Sequence, residues 1–277
     1  MSDAGRRRPW LAAGAAVALS ASAYALYSRA AWPWVGLGWV GLVPWLGVLD
    51  RVRTLRGALV AGVVMAVAFE LAVFGWFALT IADYTGASAV VGFVWLGLAA
   101  PFFQPQFVTV ALARTSVRRS GGGTLATVLV TAAAYVATES LTPKLFGDTL
   151  GYPLYGSVWL RQGADLAGVS GLTFVIVAVN ECARAALTAY RTRASTASWV
   201  RPVLTPAVSG LALVLALAAY GGWRCQQLAV HSEAAALTVG IVQADLGHYD
   251  RMAEEIGRYE TVRVIIDRLL SEPPVDL

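Results

Sequence analysis

The chain has 277 residues, of which 57% are hydrophobic and only 14% charged, with ten tryptophans. Soluble domains carry about a quarter charged residues, so this balance and a mean hydropathy of +0.62 exclude that class and point to a polytopic membrane protein. The formal net charge of +4 follows from arginine-bearing loops, and no basic stripe with interleaved aromatics offers a nucleic-acid groove.

A helix needs roughly 20 mostly apolar residues to cross the hydrocarbon. Seven runs are read as spans: 10–28, 32–49, 57–79, 87–113, 124–141, 165–190 and 202–220. Cytoplasmic loops collect Lys and Arg near span ends. Arg6, Arg7 and Arg8 precede the first span, Arg51, Arg53 and Arg56 follow the second, and Arg114, Arg118 and Arg119 follow the fourth. Arg184, Arg191, Arg193 and Arg201 surround the sixth loop, whereas the intervening loops hold only Arg29, Lys144 and Arg161. The pattern predicts a cytoplasmic N-terminus and an outer-face C-terminus. The first run, with Ser20, Ala21, Ser22 and Ala23, also has the look of a cleavable secretion signal. Its removal would leave six spans and invert the arginine pattern, so an uncleaved first helix is preferred.

Charged groups inside a span are costly and are functional candidates by default. Glu70 and Glu139 are the clearest cases, followed by Asn180, Glu181, Gln104 and Gln106. Structural roles compete with functional ones: Glu70 can pair inside the bundle, Glu181 can snorkel to the inner interface beside Arg184, and Gln104 and Gln106 flank Pro105, where a kinked helix frees backbone groups. A transporter would show two related halves with interrupted helices. No internal repeat is present, and Pro101 and Pro105 break one span only.

The loop 142–163 carries Gly147, Gly151, Tyr152, Pro153, Tyr155, Gly156 and Trp159. It reads either as an interfacial loop at headgroup level or as a lipid-facing mouth to a site above the membrane. The topology places Cys182 near the inner end of the sixth span and Cys225 just outside the seventh. They are not expected to pair. His231 and His248 are isolated and no metal-ligand spacing occurs, so neither a structural metal nor a disulfide is expected.

Residues 237–244 form a short, nearly continuous apolar run suited to a strand buried on both faces. A turn through Gly247 follows, and Asp250 can cap a helix running to about Leu270, with Glu254 and Glu255 in its early turns. Met252, Ile256, Tyr259, Ile266 and Leu269 recur at helical spacing. Pro273 and Pro274 end that helix before what looks like a second strand. One strand and one helix cannot bury both faces of a sheet, so this piece is not expected to fold alone.

The segment Gly163-Ala164-Asp165-Leu166-Ala167-Gly168-Val169-Ser170-Gly171-Leu172-Thr173-Phe174, continuing to Asn180, resembles the sixth-span signature of bacterial apolipoprotein N-acyltransferases. Residues 237–244 are similar to the first strand of their nitrilase-like domain. Glu139 and Gly151-Tyr152-Pro153 fit the Glu and Gly-aromatic-Pro positions that precede the signature, although Leu154 stands where the family usually has Trp. The strength of the resemblance lies in the order of these parts.

What the resemblance implies is an enzyme of the bacterial inner membrane that moves an acyl chain from a phospholipid to the N-terminal amine of a diacylglyceryl-cysteine lipoprotein. The family works through a Cys nucleophile, a Glu base and a Lys, by a thioester. All three positions would fall beyond Leu277, so the expected catalytic set within this chain is empty. The chain itself is expected inactive, as a fragment or a truncated gene product. The expected fold is an all-α polytopic membrane bundle over 1–220, then an outer-face linker and incomplete α/β nitrilase-like (αββα) segment over 221–277. Glu139, Gly151, Tyr152 and Pro153 are the expected lipid or substrate access residues, with no cofactor. Membrane phospholipid is the expected partner, and a lipoprotein only if the nitrilase domain is supplied; no nucleic acid is expected. Cys225, beside Arg224, could stand in as nucleophile, but a plain free thiol is preferred. A non-enzymatic membrane partner of a separately encoded nitrilase domain and a small transporter are the alternatives.

Overall fold

The computed structural model describes residues 3–144, 146–192, 200–230, 263–264 and 266–268. Among these there is no strand. The elements are α1 (Asp3–Tyr27), a 3-10 turn (Trp34–Trp39), α2 (Val43–Leu49), α3 (Leu55–Val73), α4 (Gly75–Thr85), α5 (Ala89–Phe103), α6 (Pro105–Arg119), α7 (Thr124–Leu141), a second 3-10 turn (Tyr152–Gly156), α8 (Val158–Arg161), α9 (Ala164–Thr192) and α10 (Val200–Val230). The chain divides into two compact units, Met1–Gln226 and Gln227–Leu277. In the second, residues 263–264 and 266–268 are helical. The expected strand 237–244, the Gly247 turn, the Asp250 cap and the prolines at 273 and 274 lie outside the described residues.

Among the described residues five helices are long and apolar enough to cross a membrane: Trp10–Tyr27, Leu55–Val73, Thr124–Leu141, Ala164–Thr192 and Val200–Ala229. The pair α5 and α6, bent by 48°, makes a sixth if taken as one span. This is a multi-pass helical membrane architecture, with fewer full-length helices than the seven runs suggested. The run 32–49 is the difference. Pro33, Gly36, Gly38, Gly41 and Pro44 deny it a continuous helix, and only a 3-10 turn and the seven residues of α2 form.

The broken run nevertheless passes from one end of the first unit to the other. At one end the Tyr27 hydroxyl donates to the Leu150 carbonyl at 2.7 Å; at the other, Asp50 meets Arg114, Arg118 and Arg184. Irregular backbone is tolerated at membrane depth only where protein satisfies its polar groups. Asn180 of α9 does so here. Its Oδ1 accepts from the Leu42 N–H at 2.8 Å, and its Nδ2 donates to the Gly38 carbonyl at 2.8 Å. Ser20 accepts from the Trp45 N–H at 3.1 Å, and the Tyr24 hydroxyl donates to Gly38 at 3.3 Å.

Two more of the predicted spans are broken. The run 57–79 divides at Phe74 into α3 and α4, and the run 87–113 divides at Gln104, just before Pro105, into α5 and α6. Proline at the first position of α6 lacks the N–H that would continue the helix. α6 also runs on past the expected end of its span, so that Arg114, read from sequence as a loop residue, is a buried helical one at 2% exposure. The signature segment is interrupted as well: Gly168 sits at φ +64°, ψ −170° inside α9, a backbone region open essentially to glycine alone.

Packing is carried by an aromatic chain through the middle of the bundle. Phe107 stacks edge-on against Trp45 at 5.6 Å and Tyr135 at 5.8 Å, and lies 4.9 Å from Phe69, which continues to Tyr24 at 5.9 Å. These rings tie α1, α2, α3, α6 and α7 into one core, while Leu204, Val208, Leu211 and Leu215 of α10 point outward and exposed. Such an apolar exterior is what a helix facing lipid presents.

Candidate functional site

The loop between α7 and α9 is held by a polar network that starts at Glu139 in the last turn of α7. Lys144 Nζ donates to Glu139 Oε1 at 3.1 Å and also to the Asp148 carbonyl, and it lies 3.7 Å from Asp148 Oδ2. The Thr149 hydroxyl donates to Glu139 Oε2 at 2.7 Å. A hydroxyl has one proton, so the 2.6 Å contact between Thr149 and Thr173 has Thr173 as donor. Thr173 in turn accepts from the Gly151 N–H at 3.0 Å. A directional chain thus runs from the loop backbone through the signature helix to the carboxylate.

Gly151, Tyr152 and Pro153 open the second 3-10 turn, and Tyr152 is 54% exposed. Glu139, Tyr152 and Pro153 share the wall of a cavity of about 190 Å³ with Tyr24, Tyr27 and Tyr135. That volume is below the roughly 300–1,000 Å³ of ordinary ligand pockets, so this cavity does not enclose a whole phospholipid. The structure therefore gathers all four sequence-predicted residues in one place, Gly151 through the hydrogen-bond chain and the other three at the cavity. Tyr155 and Trp159 of the loop are exposed, and the Arg161 guanidinium lies over the Tyr155 ring at 5.0 Å.

The reason for glycine at 151 is space rather than backbone freedom. Its φ of −73° and ψ of −25° suit any residue, but a Cβ would stand 2.5 Å from the Val169 carbonyl oxygen and 2.7 Å from its side chain. Gly151→Ala is expected to push the loop off α9 and cost about 1–3 kcal/mol, the usual range for overpacking. Thermal unfolding in detergent micelles measures it, and an unchanged midpoint would show that Val169 yields freely.

Glu70 belongs to an extension of the same network. Gln104 Nε2, at the α5–α6 break, donates to Glu70 Oε2 at 2.9 Å and to Asp148 Oδ2 at 3.3 Å. Gln106 Nε2 donates to Gln104 Oε1 at 2.5 Å. Glu70 is thus paired inside the bundle, and the glutamines bridge the helix break to the loop.

Glu181 does not snorkel beside Arg184. It is buried and chelated by Arg114, from Nε at 2.5 Å and from Nη2 at 3.2 Å, while Arg184 Nε donates to Asp50 at 2.6 Å. Asp50 also accepts from Arg114 at 2.9 Å and Arg118 at 2.5 Å. Burial pushes the Asp50 carboxyl up, but Arg114, Arg184 and Arg118 together outweigh it and hold the group below the ordinary carboxylate range.

Cys182 and Cys225 are both free thiols. The Sγ of Cys225 lies 3.8 Å from the Val158 carbonyl, an acceptor rather than a base, and the neighbouring Arg224 is engaged at 2.7 Å by Asp165. Among the described residues no cluster of His, Cys, Asp and Glu could hold a metal ion; His231 and His248 lie outside them.

Sequence reading missed Thr149, Asp148 and the tie from Lys144 to Glu139, and it named Thr173 only as part of the signature. No curated protein and no solved structure matches this chain. The family model described as the apolipoprotein N-acyltransferase N-terminal domain matches residues 13–182, which takes in α1 to the middle of α9, Glu139, the loop and most of the buried arginine cluster. With more than half of its length under that match, the chain belongs to the apolipoprotein N-acyltransferase N-terminal domain family.

Proposed function

We propose that this chain is the membrane part of an enzyme that transfers an acyl chain from a phospholipid to the N-terminal amine of diacylglyceryl-cysteine lipoproteins, the chemistry being supplied by a nitrilase-like domain. The observation that carries the reading is the chain of hydrogen bonds from Gly151 through Thr173 and Thr149 to Glu139, within the residues the family model matches. It makes one rigid piece of the signature helix, the end of α7 and the loop that presents Tyr152. A loop so held can shape lateral access of lipid to a site above the membrane, and the aromatic body and polar tip of Tyr152 suit the headgroup layer.

In this reading the chain sits in the bacterial inner membrane with a cytoplasmic N-terminus, since the arginine cluster of Asp50, Arg114, Arg118 and Arg184 marks the cytoplasmic end. Glu139 is then a positioning group at the outer end and not an acid or base. Thioester chemistry needs an activated thiolate with a base and an oxyanion stabiliser held together, and among the described residues the surroundings of Cys225 and Cys182 provide no such set.

The test is incubation of the purified chain with labelled phospholipid and a diacylated lipopeptide. The chain alone is expected to form no acyl-enzyme and transfer no acyl group, whereas the chain continued into a nitrilase-like domain does both. In that longer protein Tyr152→Ala is expected to slow acyl loading several-fold with insertion unchanged. Transfer by the chain alone, abolished by Cys225→Ser, would overturn the assignment of chemistry to a nitrilase-like domain. Unchanged loading of the Tyr152→Ala protein at limiting phospholipid would leave the loop a structural role only.

A further inference from the structure

A large cavity in the first unit lies at the opposite end from the Tyr152 loop, between α6, α7, α9 and α10, and measures about 1300 Å³. It exists because α10 meets α9 at few points. Gly210 touches Cys182, and Leu217 comes up against Gly163, while the space between is open. One end of the cavity is polar, with Arg114, Arg118, Arg184 and Arg201 against Asp50 and Glu181. Four cations against two carboxylates leave an excess of 4 − 2 = +2. The rest of the wall is apolar, including Val128 and Leu129 of α7, Phe174 of α9, and Leu213 and Ala216 of α10.

Three details show that the arginine end has more positive charge than Asp50 and Glu181 neutralise. Arg114 is 2% exposed and its Nε and Nη2 are fully used, yet its Nη1 has no hydrogen-bond partner. A buried donor left without an acceptor is costly. Arg201, at the rim, has no ion pair among the described residues, and Arg118 reaches Asp50 with a side chain still 42% exposed.

From this we infer that the cavity is a binding site for one anionic glycerophospholipid, distinct from the acyl-donor access proposed at the other end. Its phosphate would lie between Arg118 and Arg201, beside the positive wall that Arg114 and Arg184 form, and its acyl chains would run along the α7, α9 and α10 walls. The volume exceeds the roughly 300–1,000 Å³ of small-molecule pockets and suits a two-chain amphiphile. A soluble anion would leave the apolar length of the cavity unfilled. A zwitterionic lipid would bring an ammonium against the surplus of guanidinium groups, whereas basic pockets between membrane helices hold anionic headgroups. With this lipid in place, α10 gains through acyl chains the packing against α7 and α9 that its own side chains do not supply.

The experiment is native mass spectrometry of the full chain released from detergent, titrated with phosphatidylglycerol, with phosphatidylcholine and with inorganic phosphate. One phosphatidylglycerol per chain is expected to survive, and phosphatidylcholine and phosphate are expected not to displace it. Arg201→Glu is expected to weaken retention about tenfold or more, because each cation near an anionic headgroup contributes on the order of 1 kcal/mol and the change reverses one. Ala212→Trp, which fills the wall without touching a charge, is expected to abolish retention while the helical circular dichroism stays that of the parent. Phosphatidylglycerol should raise the unfolding midpoint of the parent and not of the Ala212→Trp protein. Equal retention of phosphatidylcholine, displacement by inorganic phosphate, or parental retention in both variants would overturn the proposal.

Discussion

Replacing Arg114 by methionine is expected to destabilise the protein by about 3–5 kcal/mol, the range for removing one partner of a buried ion pair. Arg114 holds Glu181 by two hydrogen bonds and Asp50 by a third. Without it the Glu181 carboxylate is left buried and unpaired, and Asp50 keeps only Arg118 and Arg184. Equilibrium unfolding in mixed detergent micelles measures the loss. Replacing Arg114 and Glu181 together by methionines is expected to restore much of it, because an apolar pair needs no compensation. Equal losses in the single and double variants would show that the side-chain volumes matter and the charges do not. The cluster also predicts a direction with pH. The Asp50 carboxyl is held below its ordinary range, so its contribution is complete at neutral pH and is lost as pH falls through that depressed value.

Asn180→Leu is expected to cost about 2–4 kcal/mol, since each buried backbone group left unsatisfied costs roughly 1–3 kcal/mol. The amide serves three backbone groups: the Leu42 N–H at 2.8 Å, the Gly38 carbonyl at 2.8 Å and the Ile176 carbonyl at 2.9 Å. Leucine preserves volume and removes all three bonds. Gly38 retains the Tyr24 hydroxyl, so the Leu42 N–H carries most of the penalty. The unfolding midpoint should fall, and hydrogen exchange at residues 38–43 should speed up before the rest of the bundle opens. Parental exchange in that stretch would show that water or a neighbouring side chain replaces the amide.

The legibility of the site from sequence differs residue by residue. Glu139 was visible because a carboxylate near a span end is conspicuous, and Gly151, Tyr152 and Pro153 because they fit the Gly-aromatic-Pro positions that precede the family's signature. Thr149 and Thr173 were not. Threonine in a membrane helix ordinarily bonds back to the carbonyl four residues earlier, as Thr138 does to Ala134 and Thr142 to Thr138. Nothing local distinguishes Thr173, which reaches across to the loop instead.

Composition and the runs of apolar residues determined by themselves that this chain is a helical membrane protein, because the energy of placing a side chain in hydrocarbon is additive and local. The order of Glu139, the Gly-Tyr-Pro turn and the signature segment was enough to indicate the family. Only the tertiary structure decided which apolar run would be broken, which arginine would be buried and which polar groups would meet. Asn180 and Leu42 are 138 positions apart, and Arg114 and Glu181 are 67 apart. Partners at such separations are chosen by how helices pack. A buried donor or acceptor then takes whatever complementary group the packing brings within about 3 Å.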